Sequence, residues 1–302
     1  MGNAGVRHTG LLALLLTLAG CSASGGAEDA SGSGATSSAA GGSGGVTLGG
    51  GGAGGGLAVG GGGAGTAGSC TQAIDIVFVM DVSTSMGPFL SELALEMPVV
   101  DQAVKALNLA SPPHYGLVVF VDDTELVEAG QPIQDIATLQ KQFTDWAQFT
   151  SQDTQIDGTT SSFSMPENSL DALSRAAQEF AWRPAESTLR VVIHTTDDTF
   201  WQGPTTTPEG VGVTHSYAQT LSLLQQGSVR TFSFASKLGG DTEQDDVSAG
   251  WFATFEGLPS IPSSTGGGVF ELDQVLAKQV SLSTSISGAV AGAHCKPYPT
   301  PK

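Results

Sequence analysis

Residues 73–85 read AIDIVFVMDVSTS, and this stretch decides the fold class that we expect. Its first part, 73–80, is an apolar run rich in β-branched side chains, which is typical of a strand buried on both faces of a sheet. The run ends at Asp81, and Ser83 and Ser85 follow at alternate positions. These oxygen-bearing side chains predict a ligand site, because open α/β sheets bind ligands at the carboxyl ends of their strands.

Apolar runs and segments with helical spacing alternate along the rest of the chain. Strands are predicted at 115–121, 125–127, 189–195, 230–235 and 269–272. Helices are predicted at 90–109, 137–149, 169–182, 216–226 and 273–289. We expect the first helix to kink or restart at Pro98. This alternation implies a doubly wound α/β fold, in which a mainly parallel central sheet is flanked by helices.

The first 69 residues predict an export signal and a tether. Arg7 precedes the apolar run at 11–18, which has the length of a secretory signal and is too short to span a bilayer. The sequence Leu-Ala-Gly-Cys at 18–21 resembles the bacterial lipobox, which implies that residues 1–20 are removed and that Cys21 is acylated, for example with palmitate. An ordinary signal peptide with an unrelated cysteine is the alternative. Residues 21–69, rich in Gly, Ser and Ala, then form a flexible tether.

The net charge and the residue after Cys21 indicate where the protein is located and which partners it does not bind. The chain has 29 acidic and 11 basic residues and a net charge of −18, so it repels nucleic acid and anionic membrane surfaces. We therefore expect contact with a membrane through the lipid only. The position after Cys21 is Ser22 rather than aspartate, which favours the outer membrane of a bacterial cell envelope, on its periplasmic or surface face.

The three cysteines predict one disulfide. With Cys21 assigned to the lipid, Cys70 and Cys295 remain, one near each end of the globular region. Because disulfides persist outside the cytoplasm, we expect these two to pair and to tie the ends of the domain together. A pair of free or metal-bound thiols is the alternative. We do not expect a zinc site, on the ground that neither cysteine has a histidine or another cysteine at ligand spacing.

Two further polar segments can join the group that follows the first strand. The segment 157–160, Asp-Gly-Thr-Thr, precedes a predicted helix, and 196–198, Thr-Asp-Asp, follows the third long strand. Together these segments offer oxygen ligands of which few are charged, the set preferred by a hard divalent cation. Such a set leaves the ion with an open position that an acidic side chain of a partner can fill.

This arrangement resembles the von Willebrand factor type A (vWA) domain, whose metal-ion-dependent adhesion site combines an Asp-x-Ser-x-Ser motif, a threonine from a later loop and an aspartate after the fourth strand. The resemblance covers residues 73–289, so we expect residues 70–302 to form one vWA-like domain. It implies a Mg²⁺ ion, or Mn²⁺ or Ca²⁺ in its place. The implied metal ligands are Asp81, Ser83, Ser85, Thr159 and Asp197.

Two positions depart from the family pattern or leave it ambiguous. Thr160 is the neighbour that can replace Thr159, and Asp198 stands where the family usually has glycine. The competing interpretation is that these side chains are helix caps and turn formers, in a vWA fold with a degenerate site.

The function we expect is a lipid-anchored binding or adhesion module that captures a protein ligand through the ion. A structural or envelope-assembly lipoprotein with a stabilising or degenerate metal site is the first alternative. A metal-dependent hydrolase that uses His194 as a base is the second. No lipase-type elbow, zinc-protease motif or phosphate loop is present in the sequence, so we do not expect an enzyme.

Two loops carry weaker signals. Phe200 and Trp201 open a loop, 198–215, that can either contact partners or pack on the domain itself. The loop 239–262 begins with several acidic residues that can hold a second calcium ion, although a solvated loop is the simpler interpretation.

Overall fold

The computed structural model describes residues 70–162, 166–237 and 246–299, so the predicted signal, lipidated cysteine and tether lie outside the described residues. The strands are β1 (Ala73–Asp81), β2 (His114–Phe120), β3 (Thr124–Leu126), β4 (Thr188–Thr196), β5 (Thr205–Thr206), β6 (Gly212–Val213), β7 (Val229–Ala235) and β8 (Gly268–Glu271). The α-helices are α1 (Gly87–Lys105), α2 (Ile136–Phe149), α3 (Ser169–Glu179), α4 (Tyr217–Gln226), α5 (Ile261–Ser264), α6 (Leu272–Leu276) and α7 (Leu282–His294).

The predicted α/β fold class is confirmed. Six strands form one sheet in the order β3-β2-β1-β4-β7-β8, and β5 pairs with β6 in a separate two-stranded sheet. Within the six-stranded sheet every pairing is parallel except that of β3, which runs antiparallel to β2 at one edge. Helices cover both faces of this sheet, as the alternation of strands and helices requires.

Strand β1 lies in the middle of the sheet because both of its faces are apolar. Ile74, Ile76, Phe78 and Met80 point into a core shared with α1, α2 and α7. Val77 and Val79 point into the opposite core, to which α3 and α4 contribute. All nine residues of β1 are buried, so its carboxyl end brings Asp81 to the edge of the sheet inside the protein rather than in solvent.

Helix α1 continues through Pro98, where the sequence predicts a kink or restart. Proline has no N–H group to donate to the carbonyl four residues earlier, which here belongs to Ala94. The side chain of Gln140 on α2 donates to that carbonyl instead, with an Nε2–O distance of 2.9 Å. A contact from a neighbouring helix thus replaces the bond that proline removes.

The single closing helix predicted at 273–289 is wrong, because the structure has two helices, α6 and α7. Lys278 adopts a left-handed conformation with φ of 57°, which ends the first helix. Ser281 then caps α7 by accepting a hydrogen bond from the backbone N–H of Thr284.

The predicted disulfide between Cys70 and Cys295 is confirmed. It joins the segment just before β1 to the residue that follows α7, and 225 positions separate the two cysteines. In the part of the chain that the structure describes, none of the helices combines the length and the apolar character needed to cross a membrane.

Candidate metal centre

Strands β1 and β4 bring two of the predicted ligands to the same edge of the sheet. Asp81 is the last residue of β1, and Asp197 directly follows β4. The two strands are hydrogen-bonded neighbours, with Met80 paired to Thr195. Because parallel neighbours end at the same edge, the two carboxylates meet there, and the charge of Asp197 acts on Asp81.

The Asp81 carboxylate is fully buried and is oriented by its own loop. It accepts a hydrogen bond from the backbone N–H of Ser83, with an N–Oδ1 distance of 2.8 Å. The hydroxyl of Thr196 donates to its other oxygen, at an Oγ1–Oδ2 distance of 3.4 Å. These contacts hold the carboxylate in one orientation before any ion arrives.

The two serine hydroxyls lie between the carboxylates. Their Oγ atoms are 3.2 Å apart, and the Ser85 side chain is hydrogen-bonded to the carboxylate of Asp197. Ser83 precedes a short 3-10 helix, but its side chain makes no capping hydrogen bond. The structure therefore brings Asp81, Ser83, Ser85 and Asp197 into one group, and it gives Ser83 no capping role.

Thr159 does not join this group among the described residues. Its side chain is exposed, and both its N–H and its hydroxyl donate to Asp157 Oδ1, at 2.8 and 2.6 Å. The loop that carries it is fastened to Asp123, which accepts from the backbone N–H groups of Ile156 and Asp157 at 2.9 Å each. Its neighbour Thr160 is exposed too.

Glu167 provides a further carboxylate near this group, whereas the sequence predicts Thr159 as the remaining ligand. It is only 5% exposed, and its carboxylate is close enough to Asp81 and Asp197 for their charges to act on it. Backbone hydrogen bonds to the segment after β4 fix its position, one donated by Glu167 N–H to Thr199 O and one accepted from Trp201 N–H, both 3.0 Å.

Glu167 was not predicted as a site residue, although its place in the sequence carries a signal. Pro166 and Asn168 mark the start of α3, and Asn168 is the N-cap of that helix. Glu167 therefore precedes the helix, and the structure holds this turn at the carboxyl edge of the sheet, since the N–H of Asn168 donates to Val121 O just after β2 at 2.8 Å. We call Asp81, Glu167 and Asp197 the carboxylate triad.

The carboxylate triad gathers negative charge inside the protein, and this charge has to be neutralised by a bound cation or by protonation. Burial, reinforced by the charge of Asp197, raises the pKa of Asp81 to about 8. Burial also raises the pKa of Asp197, and burial with the charges of Asp81 and Asp122 raises that of Glu167 well above its usual range. The described lysine and arginine side chains form no ion pair with any of the three.

The donor set fits a hard divalent ion that keeps some of its water. Carboxylate and hydroxyl oxygens are the ligands that Mg²⁺ and Ca²⁺ prefer, and Mg²⁺ in particular usually retains several waters. The described Asp, Glu, His and Cys side chains include one set of three whose ligand atoms all lie within 4.8 Å of one another, and it lies elsewhere, at Cys70, His294 and Cys295. The hydroxyls of Ser83 and Ser85 lie beside the carboxylates and add neutral oxygens to the same group.

The raised pKa values predict how the metal-free protein responds to pH. Because the folded-state pKa of Asp81 lies above its unfolded-state value near 4, its contribution to stability is present below pH 4 and is lost as pH rises towards 8. In the presence of a chelator, we expect the unfolding equilibrium constant of the wild type to rise with pH, relative to Asp81→Asn, by up to about tenfold per pH unit. Urea unfolding of both proteins at pH 5, 6.5 and 8 measures this difference.

His194 changes the stability with pH in the opposite direction to Asp81, and the comparison with Asp81→Asn removes this contribution. Burial lowers the pKa of His194 to about 3, so its contribution to stability is lost as pH falls below 6.5. Both proteins contain His194, so its effect cancels. Parallel pH profiles for the two proteins would contradict the prediction.

His194 and Phe200 lie in the interior of the domain, and the partly exposed Trp201 packs against it. His194 is fully buried, 3.3 Å from Ser233 Oγ through Nδ1, and its ring packs on Phe120 and Trp251. Phe200 is buried against aromatic neighbours, and Trp201 donates from Nε1 to Asp122 Oδ1 at 3.0 Å. Both residues at the start of the 198–215 loop therefore pack on the domain itself.

The acidic stretch expected in the 239–262 loop lies mostly outside the described residues. Residues 241–245 are not described, and Asp246, which is described, accepts from the backbone N–H of Ser248 at 3.1 Å. The expectation of a second calcium ion stays untested. Asp198, where the family usually has glycine, is 9% exposed and accepts from the N–H of Thr199 at 2.6 Å.

Comparison with known proteins gives structural neighbours only. No family model matches the chain, and no curated protein matches it. Two structures of proximal thread matrix protein 1 from the mussel byssus, one with a zinc-occupied MIDAS motif, are 18% and 19% identical with TM-scores of 0.42, and they cover 76% and 78% of this chain. An aerotolerance-related membrane protein from Bacteroides fragilis is 12% identical with a TM-score of 0.41 and covers 73% of this chain and 98% of its own.

This chain spans about half of the mussel protein, 48% and 50% of its length in the two structures. Because all three TM-scores are below 0.5, the α/β architecture described above rests on the strand order and the helical layers of this protein alone.

Proposed function

We propose that this protein is a vWA-type binding module, held at a bacterial cell envelope by a lipid on Cys21, which captures a protein ligand through a divalent ion. The observation that carries the proposal is the meeting of Asp81, Ser83, Ser85 and Asp197 at the carboxyl edge of β1 and β4. The order of these residues along the chain, within an α/β fold, supports the vWA assignment.

Within this proposal the ion is held from two sides. Asp81, Ser83 and Ser85 contribute from the loop after β1, and Asp197 contributes from the end of β4. Glu167 supplies the further oxygen that the vWA resemblance assigns to a threonine. The bound ion would supply positive charge at a position open to a carboxylate of the ligand, as Mg²⁺ sites with few protein ligands do.

A binding role fits the surroundings of the site better than hydrolysis. His194, the base required by the hydrolase alternative, is fully buried and contacts Ser233, Phe120 and Trp251. Ser83 and Ser85, the hydroxyls of the proposed ion site, contact each other and Asp197. We therefore propose that the protein is not an enzyme.

Calorimetric titration of the full chain with Mg²⁺, Mn²⁺ and Ca²⁺ tests the ion site. We expect one saturable site, at least about tenfold weaker in Glu167→Gln and unchanged within about twofold in Thr159→Val. The two variants are matched, since each changes one candidate ligand with little change in side-chain size: Glu167→Gln removes a negative charge and Thr159→Val removes a hydroxyl. Weaker binding by Thr159→Val with unchanged binding by Glu167→Gln would assign the ligand to the threonine instead, and no binding by the wild type would leave a vWA-like scaffold with a degenerate site.

A further inference from the structure

The two ends of the domain meet at a second group of metal-binding side chains, Cys70, His294 and Cys295. We call these residues, with Thr71, the end junction. Zinc was not expected from the sequence, because neither cysteine has a histidine or another cysteine at ligand spacing. His294, however, directly precedes Cys295. In the structure one ligand atom from each of the three side chains lies within 4.8 Å of the other two.

Hydrogen bonds hold the end junction together independently of the disulfide. Thr71 donates from its backbone N–H and from its hydroxyl to His294 O, at 3.3 and 3.2 Å. Nε2 of His294 lies 2.7 Å from Thr71 O. The segment before β1 and the end of α7 are thus tied by three bonds that do not involve the sulfur atoms, so opening the disulfide removes none of them directly.

The same bonds set the tautomer of His294. A carbonyl oxygen only accepts, so Nε2 of the neutral ring carries the proton and Nδ1 keeps its lone pair. This Nδ1 is 3.8 Å from the Sγ atom of Cys295, and His294 is 8% exposed. A backbone carbonyl that fixes the far nitrogen of a histidine is the usual support of a metal-binding imidazole.

We propose that the end junction is a redox-gated zinc site. When a dithiol opens the disulfide, it passes two electrons and two protons to Cys70 and Cys295 and is itself oxidised to a disulfide. One Zn²⁺ ion then binds both sulfurs and His294 Nδ1, and two protons leave to solvent. Two thiolates neutralise the ion, the imidazole completes three protein ligands, and water takes the fourth tetrahedral position.

The two ends of the domain can therefore be joined at the end junction in two alternative ways. The disulfide joins the chain ends under oxidising conditions, and zinc joins them when the thiols are reduced. Zinc binding therefore stabilises the reduced protein and does not affect the oxidised protein at this position.

Cobalt substitution tests the proposal, since Co²⁺ bound to thiolate absorbs in the near ultraviolet and so reports sulfur ligands separately from the carboxylate triad. The experiment uses the full chain with Cys21→Ser, which removes the only other thiol, and a phosphine reductant, which becomes its oxide. We expect the thiolate band to saturate at one equivalent, with an affinity at least about 100-fold above that of the oxidised protein. Zinc should displace the cobalt.

Histidine variants test whether His294 itself is a zinc ligand. His294→Gln is expected to weaken cobalt and zinc binding at least about tenfold, while His114→Gln, a histidine outside the end junction, leaves it unchanged. Far-ultraviolet circular dichroism checks the fold of each variant in its oxidised state. The proposal is overturned if the reduced protein shows no thiolate band, if His294→Gln binds as tightly as the wild type, or if the reduced chain unfolds and zinc does not restore it.

Discussion

Replacing Asp81 with asparagine is expected to weaken Mg²⁺ and Mn²⁺ binding more than about 100-fold and to leave the fold intact. Asp81 is the one charged ligand of the proposed site that is fully buried and oriented by its own loop. Loss of residues that merely support a metal ligand costs about 10- to 100-fold in affinity, so loss of a charged ligand exceeds that range. Asparagine retains the oxygen that accepts from the N–H of Ser83, which keeps the loop in place.

The same substitution is expected to stabilise the metal-free protein at neutral pH. The pKa of Asp81 is raised to about 8 by burial and by the charge of Asp197, so the ionised form is disfavoured in the folded state. A neutral side chain of the same shape removes that repulsion. A higher free energy of unfolding together with loss of ion binding identifies Asp81 as a ligand, because replacing a residue that only supports the structure would lower that free energy.

Water-proton relaxation of the Mn²⁺-loaded protein tests two things: whether the ion binds, and whether a coordination position on the ion stays open to solvent. In the wild type we expect a relaxation enhancement that falls when acetate or glutarate is added, because a carboxylate displaces water from the ion. Asp81→Asn should show no enhancement. Asp157→Asn is the matched control, since Asp157 is exposed and contacts Thr159 rather than the carboxylate triad.

Two results would contradict the proposed ion site or its role in ligand capture. An unchanged ion affinity in Asp81→Asn would remove the proposed site. An enhancement that carboxylates do not alter would keep the ion and exclude ligand capture through it, and it would favour a scaffold in which the ion only stabilises loops.

Removing the disulfide is expected to have the largest effect on stability. The Cys70→Ser, Cys295→Ser double variant should lower the free energy of unfolding by about 5 kcal/mol, because the bond closes a loop of 225 residues in the unfolded chain. Cys295 is exposed and Cys70 is partly exposed, so serine fits both positions without burying an unpaired hydroxyl.

Urea unfolding of the double variant and of Cys21→Ser provides the measurement. Cys21 lies in the predicted tether, so its replacement should leave the free energy of unfolding unchanged. A loss below about 1 kcal/mol in the double variant would mean that the Thr71–His294 hydrogen bonds already restrain the chain ends in the unfolded protein.

Much of the fold could be predicted because its signals are local. The apolar run of β1, the alternation of strands and helices, and the oxygen-bearing residues after β1 and β4 each occupy a short stretch of sequence. The break between α6 and α7 was missed because it depends on one left-handed residue, Lys278, for which the side-chain pattern has no signal. The unbroken course of α1 was missed because a distant residue, Gln140, compensates for Pro98.

The sequence by itself determined the α/β class, the disulfide and the grouping of Asp81, Ser83, Ser85 and Asp197, because a buried parallel strand must deliver its next residues to the carboxyl edge of the sheet. Only the tertiary structure decided that Glu167, rather than Thr159, faces this group, and that His294 faces the two cysteines. Both depend on how loops fasten to one another, through the backbone of Thr199 and Trp201 in one case and of Thr71 in the other. Such contacts join residues far apart along the chain, so the local sequence around Glu167 and His294 does not reveal them.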